Sequence, residues 1–195
     1  MIDERFVFLA VALILFGDTT YLIATIKGKV KPNKVTWFLW AFAPFVVVAA
    51  QIKQGVGLSS LMTVAAAIIP IFIFLASFLN KKSYWKVTTF DLICGALALT
   101  GLVLWGITQV GNWAILLGVA SDALAAVPTI VKSYKAPETE NYQVYLFNGA
   151  ATVITILSIK QWDFAHLAFP TYLFTGALIL FLLVKFKLGK RMKFI

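Results

Sequence analysis

The stretch GDTTYLIATIKGKVKPNKVTWFLWAFAP, residues 17–44, decides the fold, because it returns as SDALAAVPTIVKSYKAPETENYQVYLFNG at residues 121–149. With one gap, Asp18 falls on Asp122, Lys27 on Lys132 and Pro32 on Pro137. Trp37 and Trp40 fall on Tyr142 and Tyr145, and Pro44 stands opposite Gly149. Further along each copy, Pro70 and Pro170 occupy corresponding places, each followed by an aromatic-rich run. One unit is written twice.

Both copies lie in apolar surroundings. A helix that crosses the hydrocarbon layer needs about 20 apolar residues. Seven stretches approach that length: 6–26, 35–51, 58–79, 88–108, 113–131, 142–159 and 164–184. The chain is 195 residues long, 61% hydrophobic and only 13% charged, more apolar surface than a soluble domain of this size can hide. The connections are brief, so residues 1–195 read as a single all-α membrane domain. The leading MIDERFVFLAVALILFG lacks the basic start and small-residue cleavage site of a signal peptide and reads as a retained first helix.

Topology explains the count. Three helices end on the side opposite their start, so a directly fused second copy would be inverted. One added span restores the direction. The expected architecture is therefore seven transmembrane helices arranged 3+1+3: a first triple-helix repeat over 1–83, a linker helix over 84–110 and a second repeat over 111–195. The two three-helix bundles are expected to run parallel, an arrangement known among carriers.

The net charge of +9 is distributed at helix ends rather than in a patch, which sets aside nucleic acid as a partner and points to membrane orientation. One set of ends carries Lys27, Lys29, Lys31, Lys34, Lys81, Lys82, Lys86, Lys132, Lys135, Lys185, Lys187, Lys190, Arg191 and Lys193. The other set has only Arg5, Lys53 and Lys160. The N-terminus is thus expected outside and the C-terminus inside a cell (inner) membrane. Tyr84, Trp85 and Tyr134 on one side and Trp113 and Trp162 on the other suit interfacial aromatic belts.

Asp18 and Asp122 are the expected chemical centre, since a carboxylate at mid-span costs roughly 3 kcal/mol to insert. Two roles fit them. They line a cavity that binds a polar or cationic group or carries a proton, or they bond a neighbouring hydroxyl or helix terminus and lock the bundle. Trp37 with Trp40, and Tyr142 with Tyr145, are three residues apart and share helix faces. Trp37 and Tyr142, near the basic edge, are expected in the belt; Trp40 and Tyr145, a turn deeper, are the cavity candidates. Asn148 either faces substrate or joins two helices. Pro44, Pro70, Pro128 and Pro170 each remove a helical hydrogen bond and serve as hinges of a gate or as static bends. Thr36 or Asn141 is expected to help cap the helix that follows each Lys-rich loop. His166 is expected to be packed or interfacial rather than a ligand, and Asp91 interfacial.

An enzyme is not expected. One histidine, the single Cys94 and scattered carboxylates furnish neither a zinc set nor a disulfide framework, and no nucleophile motif occurs. No metal and no cofactor are expected.

A chain of three, one and three helices, with a loop such as PTIVKSYKAPETENY after the fifth, resembles the PQ-loop superfamily, which includes the SWEET and SemiSWEET sugar carriers, lysosomal amino-acid exporters and KDEL receptors. The signature Pro-Gln stands here as Pro128-Thr129 in the second copy and Ala24-Thr25 in the first. The resemblance implies a small secondary transporter working by alternating access on a small polar solute, with sugar as the first expectation. An amino acid or cationic metabolite with proton coupling is the alternative substrate. A membrane receptor or interaction protein without transport is the alternative function. The expected substrate-binding residues are Trp40, Tyr145, Asn148, Asp18 and Asp122, the two aspartates also being the proton-coupling candidates. Two complete repeats allow a functional monomer and leave room for a homo-oligomer.

Overall fold

The computed structural model describes residues 2–79, 81–108 and 111–191, and no strand occurs among them. Lys193 of the basic terminal cluster, and residues 109–110 of the linker segment, lie outside them. The long helices are α1 (Val7–Ile26), α2 (Lys34–Lys53), α3 (Ser60–Ala76), α4 (Thr89–Thr108), α5 (Gly111–Lys135), α6 (Tyr142–Ser158) and α7 (Phe164–Lys185), followed by the short α8 (Leu188–Arg191). Five helical stretches are long and apolar enough to cross a membrane: Glu4–Ile26, Lys34–Lys53, Gly57–Ala76, Gly111–Lys135 and Phe164–Lys185. The apolar part of α4, Thr89–Leu104, is shorter, and α6 has 17 residues.

Local chemistry sets the helix starts. Asn33 Oδ1 accepts from the amides of Val35 and Thr36, and Asn141 Oδ1 from that of Gln143, each satisfying donors that a first turn leaves free. Thr36 is therefore not a cap. It lies inside α2, and its hydroxyl donates to the Ala125 carbonyl across 2.7 Å. Asp163 caps α7 through the His166 amide at 3.0 Å, and His166 itself is buried. Prolines sit inside α2 (Pro44), α3 (Pro70), α5 (Pro128) and α7 (Pro170).

The distribution of polarity is inverted relative to a soluble protein. Phe8, Phe16 and Ile23 on α1, Phe72 and Leu75 on α3, and Ile93 and Leu97 on α4 are exposed. Asp18, Asp122, Thr36, Thr129 and Asn148 are buried. An apolar outer surface around a polar interior suits lipid as the surrounding solvent, and the helices fit a multi-pass membrane protein. Trp113 and Trp162, at helix ends, are both 63% exposed, as belt residues are.

α3 packs on both α1 and α2, and α7 packs on both α5 and α6. The two groups meet through α1 against α6 and α2 against α5, so exchanging one group for the other reproduces the same neighbour pattern. One core cluster takes Ile14 of α1, Met62 of α3, Ile115 of α5 and Phe169 of α7 together with the later parts of α2 (Val47) and α6 (Ala151). A second takes Tyr21 of α1, Ile73 of α3 and Leu180 of α7 with the earlier parts of α2 (Trp37) and α6 (Tyr145). α1, α3 and α7 thus run one way and α2 and α6 the other. α4 seats Ala98 against Leu39 of α2 and Ala125 of α5, and carries the buried Cys94.

Close approaches fix two of these contacts. A Cβ on Gly17 would stand 2.7 Å from Phe147 Cβ on α6, and one on Gly118 would stand 2.7 Å from Val47 Cγ2 on α2. Small residues at such crossings let backbones approach, the usual means of joining helices in lipid.

Candidate functional site

A cavity lies where the two core clusters meet. Its wall takes Asp18 from α1, Trp37, Trp40 and Pro44 from α2, Pro70 from α3, Asp122 from α5, Tyr145 and Asn148 from α6, and Phe169 and Tyr172 from α7. The centres of water molecules can occupy about 60 Å³ of it. That is room for a few waters, since one needs roughly 10–15 Å³ on this measure. Ala66, Ala126, Gly176 and Ala177 complete much of the apolar lining.

The aspartates are held by different partners. Asn148 Nδ2 donates to Asp18 Oδ1 across 2.8 Å and also to the Val144 carbonyl at 2.9 Å, so α6 steadies the carboxylate of α1. Tyr172 donates its hydroxyl to Asp122 Oδ2 across 2.8 Å, so the second carboxylate is held from α7. Asp122 Oδ1 is buried and has no hydrogen-bond partner among the described residues. The Trp40 indole N–H reaches the Asp122 backbone carbonyl at 3.4 Å, tying α2 to α5 at the same level.

Trp37 is a correction to the sequence reading. Expected in an interfacial belt, it is 2% exposed, its ring 4.6 Å from that of Tyr21 and 5.2 Å from that of Trp40. The cover supplied by Tyr21 of α1 encloses it. Tyr142 stays partly exposed, with Lys185 Nζ 4.0 Å from its ring centroid. Pro44 and Pro70 line the cavity; Pro128 and Pro170 are buried in the bundle without contributing to its wall.

Below the cavity, toward the lysine-rich loops, a polar network is sealed from solvent. Lys132 pairs with Glu140 and donates to the Lys31 carbonyl, with both side chains at 1% exposure or less. The Tyr145 hydroxyl donates to Glu140 Oε2 across 2.7 Å, linking this pair to a residue of the cavity wall. Lys132 therefore does not lie in an exposed loop: α5 continues past the expected limit at 131, to Lys135, and carries it into the interior. Nearby, Thr129 donates to Thr36, and Asn33 Nδ2 donates to Asp91 across 3.1 Å. Asp91, expected at the interface, is buried.

At the periphery the charges are of the ordinary kind. The hydrogen bond from Lys190 to Glu138 (2.7 Å) holds the Glu138 carboxyl below the usual range, and the His166 ring does the same for Asp163. Among the described residues no group of three histidine, cysteine or acidic side chains stands ready for a metal.

Tyr172, Phe169 and the Lys132–Glu140 pair were not singled out from sequence. Tyr172 had a faint signal, a polar tip two residues after Pro170 where the first copy has Phe72. Comparison with protein-family models, curated proteins and solved structures returns no match.

Proposed function

We propose that this chain is a small secondary carrier of seven spans, arranged 3+1+3 with two parallel three-helix repeats, its N-terminus outside and C-terminus inside a cell (inner) membrane. The observation that carries the reading is the cavity walled by α1, α2, α3, α5, α6 and α7, with both repeat aspartates in its wall. Membrane-depth carboxylates facing an interior cavity mark solute or proton pathways. The exchange-symmetric packing of α1–α3 and α5–α7 supports two halves that rock about a central site.

Trp40, Tyr145 and Asn148 would touch the solute, and Asp18 and Asp122 would set polarity or couple protons. Pro44 and Pro70 would let α2 and α3 bend beside the cavity. The small cavity volume supports a closed arrangement, from which one side must open for loading. The solute is small and polar; sugar is the expectation from the resemblance, and the two carboxylates favour an amino acid or a cation.

The second reading is a receptor on the same scaffold. The buried Lys132–Glu140 pair supports it in one respect, since such a lock suits a rigid binding protein as well as a gate. Uptake by proteoliposomes separates the two. The carrier accumulates labelled solute or exchanges it in counterflow, and Asp18→Asn and Asp122→Asn abolish this. Saturable binding with no flux in either direction sinks the carrier.

A further inference from the structure

We infer that the cavity binds an organic cation, a substituted ammonium group with a compact apolar body, rather than a sugar or an amino acid. The inference rests on the proposed central site and names its ligand class. Its first support is the Asp122 carboxylate, buried in the cavity wall, with Oδ2 satisfied by Tyr172 and Oδ1 left without a donor. A carboxylate oxygen only accepts, so what it lacks is a hydrogen-bond donor or a positive charge.

The second support is what else the wall offers. Among the described residues no lysine, arginine or histidine lines the cavity, so none of them pairs there with the acid group of an amino acid. The nearest buried lysine described, Lys132, is already paired with Glu140. A sugar needs several donors as well as acceptors, yet four of the wall's donors are engaged, Tyr172 with Asp122 among them. The Tyr145 hydroxyl goes to Glu140, the Trp40 indole N–H to the Asp122 carbonyl, and the Asn148 amide nitrogen to Asp18.

Apart from Asp122 Oδ1 and the Trp37 indole N–H, a single donor with no partner among the described residues, what remains is largely ring surface and small apolar residues. Trp37, Trp40, Phe169 and Tyr172 share the wall with the carboxylates, and aromatic faces attract a weakly hydrated cation that sheds its water on entering. An anionic oxygen beside aromatic walls is the combination that recognises alkylammonium groups. The limited space keeps the ligand small, and the walls must yield as it enters.

The test uses an isosteric pair: choline, and 3,3-dimethyl-1-butanol, which has the same shape without the charge. Thermal unfolding of the purified full chain in detergent, titrated with each and with glucose, reads occupancy. Choline is expected to stabilise saturably, with an affinity at least roughly tenfold above its neutral isostere, and glucose to do nothing. Asp122→Asn is expected to erase the choline preference. Equal affinity for the pair, stabilisation by glucose alone, or a folded Asp122→Asn variant that keeps the preference overturns the inference. If that variant does not fold, the comparison on the unaltered chain decides. Labelled choline in proteoliposomes then separates the two layers. Selective binding without flux removes the carrier and leaves the cation site; glucose flux without choline binding leaves the carrier and removes the cation.

Discussion

Asn148 on α6 reaches across to Asp18 on α1, its amide nitrogen 2.8 Å from the carboxylate. Repeat equivalence places Ala43, not an amide, at the matching site of the other copy, and there Tyr172 takes over from a different helix. The halves share a plan and differ in how each acid is held.

Removing the Asn148 donor strands a buried carboxylate. Asn148→Ala is expected to cost about 1–3 kcal/mol of unfolding free energy. Adding Asp18→Asn should cost less than the separate losses summed, because the two act as one contact. Thermal or denaturant unfolding of the four proteins checks this, and strict additivity would speak against the coupling.

Gly17 and Gly118 mark crossings of unequal tolerance. At Gly17 an added methyl meets Phe147 Cβ, which cannot move without its helix; at Gly118 it meets a valine methyl, which can rotate. Gly17→Ala is therefore expected to destabilise by about 1–3 kcal/mol, and Gly118→Ala by less. A reversed order in melting temperature would contradict the contacts described.

The Lys132–Glu140 pair predicts a particular pattern of loss. Breaking a buried pair from one side leaves an uncompensated charge, so Lys132→Met or Glu140→Gln alone should cost about 3–5 kcal/mol. The double variant should recover much of that. A double variant as unstable as the two losses added would show that the pair is not mutually dependent.

Acid should loosen α8 through Glu138. The Lys190 hydrogen bond holds the folded carboxyl below its ordinary 4.5. The unfolded chain then takes up the proton first, so the contribution is present above about pH 4.5 and disappears as pH falls through the folded value. Both partners are half-exposed, so the effect is small and screened by salt. At neutral pH and low salt, amide hydrogen exchange in Leu188–Arg191 should be faster in Glu138→Gln than in the unaltered chain. As pH falls through the folded value the gap should close; a gap unchanged by acid would point to another cause.

The helices were legible because lipid imposes a simple rule, a long apolar run wherever the backbone crosses. Their ends were less so. α5 runs past residue 131 because Lys132 finds Glu140 inside, whereas a lysine in sequence reads as the edge of a span. Asp18, Asp122, Trp40, Tyr145 and Asn148 stood out as polar or amphipathic groups at depth, and all five line the cavity. Their meeting depends on α1 against α6 and α2 against α5, which no local pattern encodes. Trp37 was placed by distance from the basic loop, yet the packing of Tyr21 against it decides its burial. Tyr172 could be matched to Asp122 only once α7 lay beside α5.

Cys94, enclosed between α4 and its neighbours, is the chain's single thiol. A membrane-impermeant maleimide added to intact cells should therefore find almost no native target. Reporter cysteines placed one at a time in the loops would read sidedness against a silent background, with no need to strip the protein of its own sulfur first.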